Sequence, residues 1–191
     1  GVLKDTVALT GTVDNATQSF RIGRYGSSLD FQGEISQVCF FDYELDLDQR
    51  TYLYNLNNPM AITGGEPVAY WPLGDNSNPN APGSFPNISV GADSVFEFNG
   101  SSTYIDLPDS NLLSFGDGTS DSPFTMSAWI KTTGNGDSIL AKWGTGAPQG
   151  YEWIFYIVQN KIRVALYDLT TANYQQRNGT TIINTGKSLC F

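Results

Sequence analysis

Residues 31–40, Phe-Gln-Gly-Glu-Ile-Ser-Gln-Val-Cys-Phe, alternate apolar and polar side chains, and this period of two constrains the fold more than any other feature. Successive side chains of a strand point to opposite faces, so such a run buries one face and wets the other. Further short strand-like runs cover 1–13, 20–25, 68–73, 94–98, 104–107, 124–132, 138–142, 151–158 and 161–167. Turn residues separate them. Asp14-Asn15-Ala16-Thr17 is one such turn, and Gln159-Asn160 reads as a tight hairpin turn. Strands spaced roughly 8–12 residues apart and punctuated in this way indicate a sandwich or barrel. Only 15% of the 191 residues are charged and 40% are hydrophobic, a balance that suits short strands better than long helices. The one convincing helix covers 46–55, with Asp46 or Asp48 as its cap and Leu47, Leu53 and Tyr54 facing inward. The expected class is therefore all-β, an antiparallel sandwich with one short helix.

Several function classes are disfavoured by chemistry alone. The chain has no histidine, which removes Ser-His-Asp and Cys-His catalytic arrangements and the imidazole ligands of most zinc sites. Any metal would be held by oxygen donors, which points to calcium. A net charge of −9 repels phosphate backbones and argues against nucleic acid as a partner. An acidic surface suits divalent cations, but it also simply keeps a protein soluble. No apolar stretch approaches the length of a membrane span. Cys39, in the run Val38-Cys39-Phe40-Phe41, reads as a buried free thiol, and sequence does not decide whether it pairs with Cys190.

Two ordered sets of segments carry a family resemblance. Phe20-Arg21-Ile22-Gly23-Arg24, the run from Phe31 to Val38 and the short helix resemble the end of a laminin G-like, concanavalin A-like domain. Pro67-Val68-Ala69-Tyr70-Trp71-Pro72-Leu73, Phe96-Glu97-Phe98-Asn99-Gly100-Ser101-Ser102 and Phe124-Thr125-Met126-Ser127-Ala128-Trp129-Ile130 resemble the beginning of the next. The resemblance implies a jelly-roll sandwich. Trp129, a large aromatic beside the small Ala128, is expected in the core where the two sheets interdigitate. Phrases such as Tyr70-Trp71-Pro72-Leu73-Gly74-Asp75-Asn76 also resemble tandem laminin G-like repeats in structural proteins of marine tailed bacteriophages, which implies a virion or extracellular surface. Residues 1–56 are then the C-terminal part of one sandwich, 57–66 a Pro- and Gly-punctuated linker, and 67–191 the N-terminal part of a sandwich. The two parts either pack together as one permuted sandwich or belong to two. Relatives usually follow Thr185-Gly186-Lys187 with a hairpin, whereas this sequence ends at Phe191. The resemblance thus implies a piece of a longer tandem protein, or a sandwich completed by another subunit, and hence part of a larger assembly.

Some members of that superfamily are glucanases carrying Glu-Ile-Asp-x-Glu, whose paired carboxylates flank the scissile bond. Here the nearest match is Glu34-Ile35-Ser36-Gln37-Val38, which lacks the second acid, so no enzymatic activity is expected. Relatives often bind calcium at a rim. Its candidate ligands are Asp75, Asn76 and Asn78 with Asp106 and Asp109, and Asp117, Asp121 and Asp137 are further loop acids. Asp and Asn are equally the ordinary residues of turns. Glycan binding needs exposed aromatic rings beside amide and carboxylate groups, and Trp143, Tyr151, Trp153 and Tyr174 are the candidates. Strict alternation places Tyr151, Trp153 and Phe155 on one face, so at least one of them belongs to the core. The expected function is a non-catalytic adhesion or carbohydrate-recognition module. The alternative is a structural spacer or decoration repeat that touches only protein subunits.

Overall fold

The computed structural model describes residues 12–13, 15–55, 58–74, 95–144, 150–168, 173–183 and 185–190. Its strands, in chain order, are β1 (Phe20–Ile22), β2 (Gln32–Phe41), β3 (Ala69–Trp71), β4 (Phe96–Asn99), β5 (Ile105–Leu107) and β6 (Thr125–Thr132). They continue with β7 (Ser138–Trp143), β8 (Tyr151–Val158), β9 (Lys161–Asp168), β10 (Asn173–Ile182) and β11 (Leu189–Cys190). A six-stranded sheet runs β10-β9-β8-β7-β1-β5, and a second runs β11-β6-β2-β3 with β4 also paired to β2. Every pairing is antiparallel. The fold is an all-β sandwich. The two sides of the 57–66 segment are interwoven, since β1 lies between β5 and β7, and β2 pairs with β3, β4 and β6. The expected strand at 1–13 lies almost wholly outside the described residues.

The inner faces meet in an aromatic core. Phe20 of β1 lies 5.1 Å from Trp71 and 5.4 Å from Phe40, ring centre to ring centre, and Phe40 lies 5.3 Å from Trp153. Edge-to-face and tilted contacts of this kind add to the burial of large apolar surface. Trp153 is fully buried, and its indole N–H donates to the Leu113 carbonyl at 2.8 Å. That bond satisfies the one polar group that the ring carries inward.

The alternation of β2 breaks at Gln37, which has φ +49° and sits where the register to β6 shifts. This β-bulge resets which side faces in. Ile35, Val38 and Phe40 therefore enter the inner core, while Cys39 and Phe41 turn to the opposite face. That opposite face is covered as well. The helix α1 (Leu47–Tyr54) contributes Leu53 to an outer cluster with Cys39, Phe41, Leu45, Ile62 and Tyr70. Burial on both faces explains why Val38 to Phe41 is continuously apolar. Asp46 caps the helix through a reciprocal box with Gln49, 2.8 Å and 2.9 Å. Of the three helix residues expected inside, only Leu53 is; Leu47 and Tyr54 are exposed. Tyr54 instead stacks on Trp129, at 5.9 Å and 26°. Trp129 occupies the outer side of β6, where the sheet faces this helix, and not the inner core. The inner position beside it belongs to Ala128.

Neither Cys39 nor Cys190 is in a disulfide. Each belongs to a strand flanking β6, where Cys39 is opposite Ser127 and Cys190 opposite Trp129. An intervening strand keeps their backbones roughly 9–10 Å apart, beyond the reach of a disulfide. The Gln159-Asn160 turn has φ of +51° and +62°, as a two-residue hairpin of this twist requires. Gly33, at φ +141°, is a position where nothing larger fits, because a Cβ would meet the Lys131 carbonyl oxygen at 2.2 Å. Gly33→Ala is expected to cost about 2 kcal/mol or more, through both the backbone conformation and the clash. Denaturant unfolding checks this, and a loss below half that value would show that β6 gives way freely.

Candidate functional site

The outer face of the six-stranded sheet carries three cross-strand rows. They follow from the alternation of β9, whose Ile162, Val164 and Leu166 pack inward while Arg163, Ala165 and Tyr167 point out. The first row is aromatic and comprises Trp143, Tyr151, Tyr167 and Tyr174. Trp143 stacks on Tyr151 at 4.8 Å and 24°, and Tyr167 meets Tyr151 edge-on at 5.2 Å. Tyr174 lies opposite Tyr167 in the register of β10 on β9, 6.5 Å from Trp143. The second row is small and buried, with Ala141, Ile154 and Ala165 beneath Tyr25, Trp143 and Tyr156, which pack against them. The third row is polar, with Tyr156, Arg163 and Asn178 aligned across β8, β9 and β10. Gln176 joins it from the second row.

A one-residue bulge builds the aromatic row. Trp153 is opposite Lys142 and Tyr151 is opposite Trp143, so Glu152 is an extra residue on β8. The bulge shifts the alternation, sending Trp153, Phe155 and Ile157 into the core while Tyr151 turns outward to Trp143. Tyr151 and Trp153 thus do not share a face, contrary to strict alternation. Trp153 is withdrawn from the set of ligand-binding candidates, because it is fully buried. Trp143 and Tyr151 are partly exposed and Tyr174 is 49% exposed, so these three present ring surface to solvent. Tyr25, Tyr167 and Arg163 were not expected here. Tyr167 lay within a run read as a strand, but β10 did not, so nothing in the sequence placed Tyr174 opposite it. Burial beside these rings, and then Tyr151, push the Tyr25 phenol above its ordinary value.

Behind the bulge, Glu152 turns inward into a buried charge cluster. The Lys142 ammonium lies 2.6 Å from Glu152 and 2.9 Å from Asp109, and both Lys142 and Glu152 have no exposed side-chain surface. Ser114 Oγ accepts from Lys142 at 2.5 Å, and the Ala16 backbone N–H donates to Glu152 at 2.9 Å. Glu152 Oε2 has no hydrogen-bond partner among the described residues. Burial raises the Glu152 carboxyl to about 7 despite these favourable contacts.

The calcium candidates do not converge among the described residues. Asp75, Asn76 and Asn78 lie outside the described residues. Asp109 is taken up by Lys142, and Asp106, on the outer side of β5, pairs with Arg21 at 3.3 Å. The other loop acids do turn work. Asp117 accepts from the N–H groups of Thr119 and Ser120, which hold its carboxyl below the ordinary range. Asp121 accepts from the Val13 N–H and Asp137 from that of Gln32. No group of three or more acidic or thiol side chains that could hold a metal ion occurs among the described residues. Glu34, which has no second acid on its own strand, has charged neighbours on the flanking strands. Glu97 lies directly opposite it on β4, and Lys131 pairs with it at 2.7 Å from β6. This is an exposed charge row in which the ammonium offsets the two like charges.

The fold and the aromatic face define the class of the chain as an all-β sandwich with a ring-lined sheet face. Comparison with protein-family models, with curated proteins and with solved structures gives no match.

Proposed function

We propose that this chain is a non-catalytic carbohydrate-recognition module of the laminin G-like, concanavalin A-like kind, acting in adhesion on a virion or extracellular surface. The observation that carries the reading is the outward row of Trp143, Tyr151 and Tyr174 around Tyr167. Sugar rings lay their C–H faces on aromatic surfaces, and their hydroxyl groups need nearby amide and phenol partners. Tyr156, Gln176 and Asn178 supply such groups on the same face.

Glycan-array screening followed by calorimetry tests the proposal. Trp143→Ala and Tyr174→Ala are each expected to weaken binding by about tenfold or more, the effect of losing a central aromatic contact. Tyr174→Ala should leave the melting temperature nearly unchanged, because that ring is half exposed. Silence of the wild-type protein across the array at high concentration would refute the reading and favour a spacer that contacts only protein subunits.

A further inference from the structure

We infer that the glycan held on this face carries an anionic group, and that Arg163 recognises it; the inference rests on the carbohydrate reading above. The chain bears a net charge of −9. Four of its cations, Arg21, Arg24, Lys131 and Lys142, are each paired with a carboxylate. Arg163 is held differently. Its Nε donates to Asn178 Oδ1 at 2.5 Å, and its Nη1 donates to Gln176 Oε1 at 3.2 Å and to the Tyr156 hydroxyl at 3.4 Å. The guanidinium carbon lies 5.7 Å from the centre of the Tyr156 ring. All these partners are neutral, and no carboxylate lies within ion-pair distance among the described residues.

A guanidinium has five N–H groups in a fixed fork, and the Nη2 pair donates to none of the described residues. Side chains that cost entropy to order are here ordered by three neutral acceptors, which leaves the positive charge intact and its direction set. Such a group is matched to a carboxylate or a sulfate, which it binds through short charge-assisted bonds. Its position fits the same ligand. Arg163 is four residues from Tyr167 on one strand, roughly 13 Å along the face, with both side chains pointing outward. A short oligosaccharide lying along β9 would stack on the aromatic row and place an acidic substituent at Arg163.

Titration calorimetry with three sets of oligosaccharides tests this: uronate-bearing, sulfate-bearing and neutral, of matched length. The wild-type protein is expected to bind one acidic set about tenfold more tightly than the neutral set, with a preference that fades at high salt. The set preferred identifies the anion as carboxylate or sulfate. Arg163→Met should abolish the preference while neutral binding persists, and Arg163→Lys should restore only part of it. Trp143→Ala should weaken all sets together. Equal binding of acidic and neutral sets, or a preference that survives Arg163→Met, overturns the inference and leaves the carbohydrate reading standing. Failure of every set to bind overturns both.

Discussion

Lys142→Met is expected to destabilise the protein by about 3–5 kcal/mol, the usual cost of removing one partner from a buried ion pair. The ammonium sits 2.6 Å from Glu152 with neither side chain exposed, and methionine fills the space without replacing the charge. Glu152 would then face the core with only the Ala16 N–H and Ser114 to hold its charge. A second substitution separates this cause from a packing fault. Lys142→Met combined with Glu152→Gln should recover much of the loss, because no ionisable group then remains buried without a partner. A double variant as unstable as the single one would show that the lysine acts through its shape. Urea unfolding of the three proteins measures both effects.

The second expectation concerns pH, and its sign follows from the raised Glu152 carboxyl. A group that holds its proton more tightly when folded stabilises the fold at low pH, and that stability drains away as pH rises through the window in which the unfolded chain has lost the proton and the folded chain still holds it. The contribution is therefore complete below the ordinary value of 4.5 and is lost as pH rises to about 7. A gap of that size corresponds to about 3 kcal/mol. Stability should thus fall from pH 4.5 to pH 7 more steeply in the wild type than in Glu152→Gln, which lacks the titrating group. Parallel stability curves for the two proteins across that window would refute the assignment. Burial away from water is the physical reason that the carboxyl resists ionising, so the effect should persist at high salt.

Much of the sandwich was legible in the chain because alternation and turn chemistry are local. The runs around β2, β6, β7, β8 and β9, the capped helix and the Gln159-Asn160 turn all follow from residues close in sequence. β10 escaped because Asn-Tyr-Gln-Gln-Arg-Asn-Gly-Thr-Thr-Ile is mostly polar, with only Tyr174 and Ile182 apolar, as a strand at a sheet edge with little to bury is free to be. Trp129 was misplaced for a different reason. Its alternation is correct, but the outer side of β6 is itself covered by Tyr54 and the helix, so a large aromatic suits that side too. Of the four aromatic residues singled out, Trp143, Tyr151 and Tyr174 meet on one face, and Trp153 does not.

By itself, the sequence determined the all-β class, the positions of most strands and the helix cap, since each depends on side-chain period or on bonds within a few residues. Only the tertiary structure decided which face each aromatic serves. Two single-residue bulges, at Gln37 and Glu152, reverse the alternation partway along β2 and β8, and a bulge exists only through the register of a partner strand. The same holds for the Lys142–Glu152 pair and for the row Tyr156–Arg163–Asn178. Those groups are brought together by strand pairing across the sheet, which no local pattern in the chain records.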